Sequence, residues 1–236
     1  MDAERNRVVP DPSNSQKRSL PMKTQVMTAH DSMNDEIRLA RRLAADPLAV
    51  SRMGPLSLET CDLALGFMEH RGRMWALWWW HYLKKLSPED LRVLLARHWP
   101  NSDIGGGPSK TQIVALFKAA GFMTDTEGVE LPRHNLTVHR GSAPAYRRGL
   151  AWTLDPETAE FFAERERHFG RLDARVYVAE TAPHHVLAIF LGRKEEEVVV
   201  NPRGLLCLRQ AESAPSTPRG TGPRYGRSMP TTLRRV

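Results

Sequence analysis

Apolar residues fall at helical spacing through the first half of the chain and at strand spacing through the second. From Asn34, the positions Ile37, Leu39, Ala40, Leu43 and Ala44 follow a helical repeat, and Asp46-Pro47 ends it. Ser57 is a candidate cap for a second helix, with Leu58, Cys61, Leu65 and Met68 on one face. Leu63 and Phe67 lie off that stripe, so burial on more than one side is expected. A third helix is expected over residues 73–86. Its stripe of Trp75, Trp78, Trp79, Tyr82 and Leu86 reads as a face buried in its own domain rather than a base-stacking platform, with Trp80 turned toward a second neighbour. Ser87-Pro88-Glu89-Asp90 combines a cap, a first-turn proline and acids on the helix dipole, and opens a helix that runs to Trp99 and stops at Pro100. Ser109 opens a fifth helix, closed by Gly121.

After Thr124-Asp125-Thr126-Glu127-Gly128, which reads as a linker, the texture changes. Strands are expected at 136–140, 149–154, 175–179, 185–190, 197–200 and 205–208, with one helix following the Asp155 cap and carrying Phe161 and Phe162 toward the sheet. One helix among six strands excludes a doubly wound parallel sheet. The expected class is α+β, an all-helical N-terminal half followed by a split, mainly antiparallel sheet. The organisation reads as a disordered arm at 1–32, a helical region at 33–128, a sheet domain at 129–210 and a disordered basic tail at 211–236.

Composition narrows the class of function. The chain has 236 residues and a net charge of +7, which favours acidic partners such as phosphates, nucleic acid or an acidic protein surface. Five arginines of the tail carry much of that excess, which weakens the reading of the folded body as a nucleic-acid binder. Cys61 and Cys207 are far apart with no metal-ligand spacing, so neither a disulfide scaffold nor a metal site is expected, and a reducing, cytoplasmic location is. The polar start predicts no secretory leader, and no apolar run is long enough to span a membrane. Gly105-Gly106-Gly107-Pro108 lacks a following Gly-Lys-Ser/Thr and is no phosphate-binding loop. The helices flanking it are too far apart and too poor in cations for a DNA-reading helix-turn-helix.

The candidate chemistry centres on Glu195-Glu196-Glu197, three carboxylates that stop abruptly at Val198-Val199-Val200. Adjacent carboxylates repel unless a cation or donor is near, and a charge run by itself is usually a solvated face. Strand alternation puts Glu195 and Glu197 on one face and Glu196 on the other, toward solvent. Upstream, one strand ends in His139-Arg140-Gly141, and another carries Ala151-Trp152-Thr153 into a helix.

In that order, these three pieces resemble the arginine-serine-glutamate class of mono-ADP-ribosyltransferases, the fold of bacterial ADP-ribosylating toxins, over residues 131–210. The resemblance implies NAD as substrate, no metal, and transfer of ADP-ribose to a macromolecule with release of nicotinamide. It implies that Arg140 binds the NAD phosphates, that Gly141 lets the backbone pass close to the ligand, and that Thr153 keeps a hydroxyl in the cleft. Glu197 then takes the catalytic position and Glu195 the position that handles the acceptor, where a glutamate goes with arginine acceptors. Tyr146 and Arg148, in the loop before the second strand, are expected to help close over NAD. The family's first serine is replaced by Ala151, which leaves the support of Glu197 open, and Trp152 is expected in the core. A register with Glu196 as the catalytic residue is the alternative. Protein arginine is the expected acceptor; a nucleic-acid base, or a non-catalytic binding module on the same fold, are the other readings.

Overall fold

In the computed structural model, residues 29–103, 107–192 and 195–211 are described. The expected arm up to residue 28 and the tail from residue 212 lie outside them, as does part of the glycine loop. The described residues form a mixed α and β structure with helices in the N-terminal part and a mostly antiparallel sheet.

The helices are α1 (Ala29–Ala45), α2 (Leu58–Phe67), α3 (Arg73–Tyr82), α4 (Pro88–His98) and α5 (Lys110–Ala120). Helix α1 begins inside the stretch expected to be an arm. The capping chemistry acts as the sequence suggests. The hydroxyls of Ser57 and Ser87 accept from the N–H groups of Thr60 and Asp90, and Ser109 forms a reciprocal capping box with Gln112.

Two burial expectations fail in the helical half. Leu63 and Phe67 are exposed, so α2 is buried on one side only. In α3 the core-facing residues are Met74, Ala76, Leu77 and Trp80, while Trp75 is 39% and Tyr82 62% exposed. Five aromatics within ten residues make α3 apolar all round, so periodicity cannot fix which side turns inward. Trp80 is set by its indole N–H, which donates to the Pro47 carbonyl at 3.0 Å. The other aromatics pack on one another, Trp75 edge-on to Trp79 at 5.6 Å and Trp78, itself packed against the core, stacked on Tyr82 at 6.1 Å.

The strands are β1 (Met123–Thr124), β2 (Leu136–Ser142), β3 (Ala151–Thr153), β4 (Arg175–Thr181), β5 (Val186–Phe190), β6 (Glu197–Val200) and β7 (Leu205–Gln210), with α6 (Pro156–His168) between β3 and β4. They form one sheet in the order β1-β5-β6-β3-β2-β4-β7, antiparallel except for β1 on β5. The sheet is continuous rather than split, but its two halves meet through a single register pair, His139 with Thr153. Beyond that pair β2 and β3 part.

Strand β1 reaches into the stretch expected to be a linker at Thr124, and the helices and sheet share a core. Trp80, Leu94 and Phe117 cluster with Leu150, Phe190 and Val199, while Val138, Trp152, Tyr177, Ile189 and Val198 form a second cluster. Trp152 is therefore a core residue, its indole N–H bonded to the Gly149 carbonyl at 3.0 Å. Phe161 is 56% exposed instead of packing on the sheet. Ala159 and Ala163 are the buried residues of α6, because the helix backbone approaches Gly141 too closely for larger side chains.

Candidate active site

The three motifs converge on adjacent strands. Thr153 stands opposite His139 of β2 on one side and opposite Glu197 of β6 on the other. Partners in register share a face, so Thr153, Glu197 and His139 lie in one row across three strands. Arg140 follows His139 directly on β2.

Glu197 is the first residue of β6 and is only 8% exposed. A buried carboxylate needs donors. One comes from the helical half: the indole N–H of Trp99, itself 5% exposed, donates to Glu197 Oε1 at 2.8 Å. Trp99 sits in the 3-10 turn that ends α4 and packs edge-on against Phe117 at 5.0 Å, so its ring is held by the core and its N–H aims at the sheet. This bond supplies the support that Ala151 leaves open. Neither chain position nor local pattern connects two residues 98 apart in sequence, so sequence reasoning had no signal for it.

Thr153 acts on the backbone of the acidic turn. Its hydroxyl donates to the Glu195 carbonyl at 2.6 Å and accepts from the Asp155 N–H at 3.0 Å. The hydroxyl expected in the cleft is thus engaged in pinning the turn to the sheet. The Leu154 N–H adds a bond to the Glu196 carbonyl at 3.2 Å. Asp125, just after β1, holds the start of the same loop by accepting from the N–H groups of Leu191 and Gly192, at 2.8 and 3.2 Å. It is a second residue that sequence reasoning missed, hidden in the apparent linker.

The strand does not extend back through the acidic triplet, so alternation does not set the faces of Glu195 and Glu196. Glu195 lies in a turn, and Glu196 has φ of 42°, in the left-handed region that few side chains adopt. Glu196 is half-buried rather than solvated. Burial first, and then the Asp155 charge, push its carboxyl above the ordinary range.

Arg140 sits in the gap where β2 and β3 part. Its Nε donates to the Tyr146 carbonyl at 3.2 Å, and Nη1 donates to the Ala151 carbonyl. Burial lowers its pKa from the usual arginine value, opposed by the carboxylates of Glu166 and Glu197, and the guanidinium stays charged. Two of its five N–H groups are thereby spoken for. His139 keeps a buried Nδ1 without a hydrogen-bond partner among the described residues, and burial lowers its pKa against the pull of Asp155.

Gly141 does not open a path for a ligand. A Cβ there would lie 2.0 Å from the Ala159 carbonyl and 2.3 Å from the Ala163 nitrogen, so the missing side chain makes room for α6. Tyr146 is exposed, with the Arg171 guanidinium 4.7 Å over its ring. Arg148 points away from Glu197: its Nη1 donates to the Pro202 carbonyl at 3.2 Å, beyond the far end of β6. Thr153, Glu197 and the backbone of Glu195 are therefore brought together with Arg140 beside them, and the side chains of Tyr146 and Arg148 are not part of that group.

Among the described residues no cluster of three or more His, Cys, Asp or Glu is arranged to hold a metal, and no helix is long and apolar enough to cross a membrane. No protein-family model, curated protein or solved structure matches the chain.

Trp99→Phe tests the support of Glu197. The phenyl ring can keep the contact with Phe117, loses the donor, and leaves a small cavity where the rest of the indole was buried. A hydrogen bond to a charged group contributes about 1.5–3 kcal/mol, so the unfolding free energy measured in urea should fall by at least that amount, with a correspondingly lower midpoint. An unchanged midpoint would show that the bond contributes nothing.

Proposed function

We propose that the chain is an NAD-dependent mono-ADP-ribosyltransferase that moves ADP-ribose from NAD to a macromolecular acceptor, with protein arginine favoured, and releases nicotinamide. One observation carries the reading. Thr153 and Glu197, 44 residues apart in sequence, stand opposite each other on neighbouring strands in the row of His139, and Arg140, the next residue on β2, bonds to the Ala151 carbonyl of β3 and lies near enough for the Glu197 charge to act on it. The sequence resemblance requires that convergence, and a solvated charge run does not.

In this reading the glycosidic bond between ribose and nicotinamide breaks and its electron pair leaves with nicotinamide. Positive charge builds on the ribose. The Glu197 carboxylate accepts from the ribose hydroxyl and stabilises that charge, in a site sheltered from water where a fixed charge acts strongly. A guanidinium nitrogen of the acceptor then bonds to the ribose carbon, and its proton passes to Glu195 or solvent. Arg140 contributes the N–H groups not given to carbonyls to the NAD phosphates. Trp99 and Thr153 hold the two glutamates in place without touching substrate.

Incubation of the full chain with adenine-labelled NAD and cell extract tests the reading. Label on protein with release of nicotinamide is expected. Label on RNA or DNA would move the acceptor to a nucleic-acid base, and neither label nor nicotinamide would remove the enzymatic reading. Glu195→Ala should lose transfer and retain some NAD hydrolysis. If both activities fall together, Glu195 has no acceptor-side role.

A further inference from the structure

A cavity of about 490 Å³ lies between α5 and the turn that follows β6. Its nine described lining residues include four cations, Lys110, Lys118, Arg148 and Arg203, and no carboxylate. Lys110 and Lys118 project from the same face of α5, eight residues and so about 12 Å apart. The opposite face, Ile113, Leu116, Phe117 and Ala120, is buried in the core, so the helix cannot roll these lysines away. The rim is also braced. Lys110 Nζ donates to the Arg148 carbonyl at 2.7 Å, and Arg148 Nη1 donates to the Pro202 carbonyl, which ties α5, the loop before β3 and the turn after β6 together.

One of these cations is placed against electrostatic preference, whereas Lys118, in the last turn of α5, sits at the end of the dipole that favours it. Lys110 occupies the first position of α5, at the positive end of the helix dipole, and the first turn contains no acid to offset it. Like charges around one concavity repel one another, and an anion relieves that repulsion. Nearby, His185 is pushed below its ordinary pKa, mainly by burial and further by His184 and Lys118. Val114 and Pro202 give the cavity apolar wall, and its volume lies within the roughly 300–1,000 Å³ typical of small-molecule sites, well above the size of one inorganic anion.

We propose that this cavity binds a nucleotide through its phosphate, either free or as one unit of a nucleic-acid strand, with the cations around the phosphate and the apolar wall against base or sugar. The site is distinct from the Glu197 row. Asn201, in its lining, is four residues along from Glu197, about 13 Å at strand spacing. The proposal does not depend on transferase activity.

The experiment uses the full chain, so that the basic tail is present throughout, and two fluorescent probes, a fluorescein-labelled short single-stranded DNA and a fluorescent ADP analogue. Binding is read by anisotropy across a salt series. The double variant Lys118→Glu, Arg203→Glu changes exposed side chains and should keep the fold, which circular dichroism checks. The control Arg52→Glu makes the same kind of charge reversal at an exposed site on the segment Pro47–Arg52. The pocket variant should weaken at least one probe about tenfold or more, and for the DNA should flatten the salt slope by about 0.7 for each phosphate no longer neutralised. The control should change affinity by less than about threefold. The probe that responds identifies the source of the phosphate. Absence of binding by either probe, or equal weakening by the control, would overturn the proposal.

Discussion

Glu197→Gln is expected to abolish ADP-ribose transfer while leaving NAD binding largely intact. Glutamine keeps the size of the side chain and an oxygen that can accept from the Trp99 indole, so the sheltered position at the head of β6 survives. What disappears is the negative charge opposite the developing positive charge of the ribose. Loss of one fixed electrostatic partner from a water-excluded site typically costs on the order of 10²–10³ in rate. The measurement is nicotinamide release under saturating NAD, with NAD affinity followed by calorimetry. Wild-type turnover in the variant would remove Glu197 from the chemistry, whereas a collapse of NAD affinity would make it a binding residue.

Gly141→Ala should be the most disruptive small substitution in the sheet. The added methyl group would meet backbone atoms of α6 at 2.0 and 2.3 Å, and backbone cannot step aside as a flexible side chain can. Helix α6 would have to lift from β2, uncovering Ala159 and Ala163. Overpacking of this kind costs about 1–3 kcal/mol and sometimes more. Because no flexible atom can absorb the clash, the upper end, about 3 kcal/mol, is expected in urea unfolding. An unfolding free energy within about 0.5 kcal/mol of wild type would mean that α6 is not seated on Gly141.

Local chemistry made much of the fold legible. Caps at Ser57, Ser87, Ser109 and Asp155 announce four helices because the bonds that start them lie within three residues. The apolar runs of β5 and β6 read as buried strands for the same local reason. The phase of α3 was not legible, since apolar residues on every side leave no polar face to mark the exterior. Strand β1 was not legible either. Two residues carry no periodicity, and its pairing with Met123 opposite Ala188 is long-range.

The candidate site divides along the same line. The order of Arg140, Thr153 and Glu197 could be read in the sequence, and the register that aligns Thr153 with Glu197 accords with it. How each side chain is used could not. The Thr153 hydroxyl is turned to the Glu195 carbonyl, the Arg140 guanidinium to carbonyls of the loop after β2 and of β3, and the Glu197 carboxylate to an indole from the other half of the chain. These are tertiary bonds, and residue type alone does not specify which of several available partners a donor takes.

Strand β1 has a further consequence. Strand β5 consists of five buried apolar residues, Val186–Phe190, and Met123–Thr124 covers part of its outer side. An uncovered run of that composition is a template for pairing with another copy of the chain. The helical half, by delivering β1 to that border, guards the sheet against self-association. Excising the sheet as an isolated module would therefore remove two protections in one cut, the cover on β5 and the indole that holds Glu197.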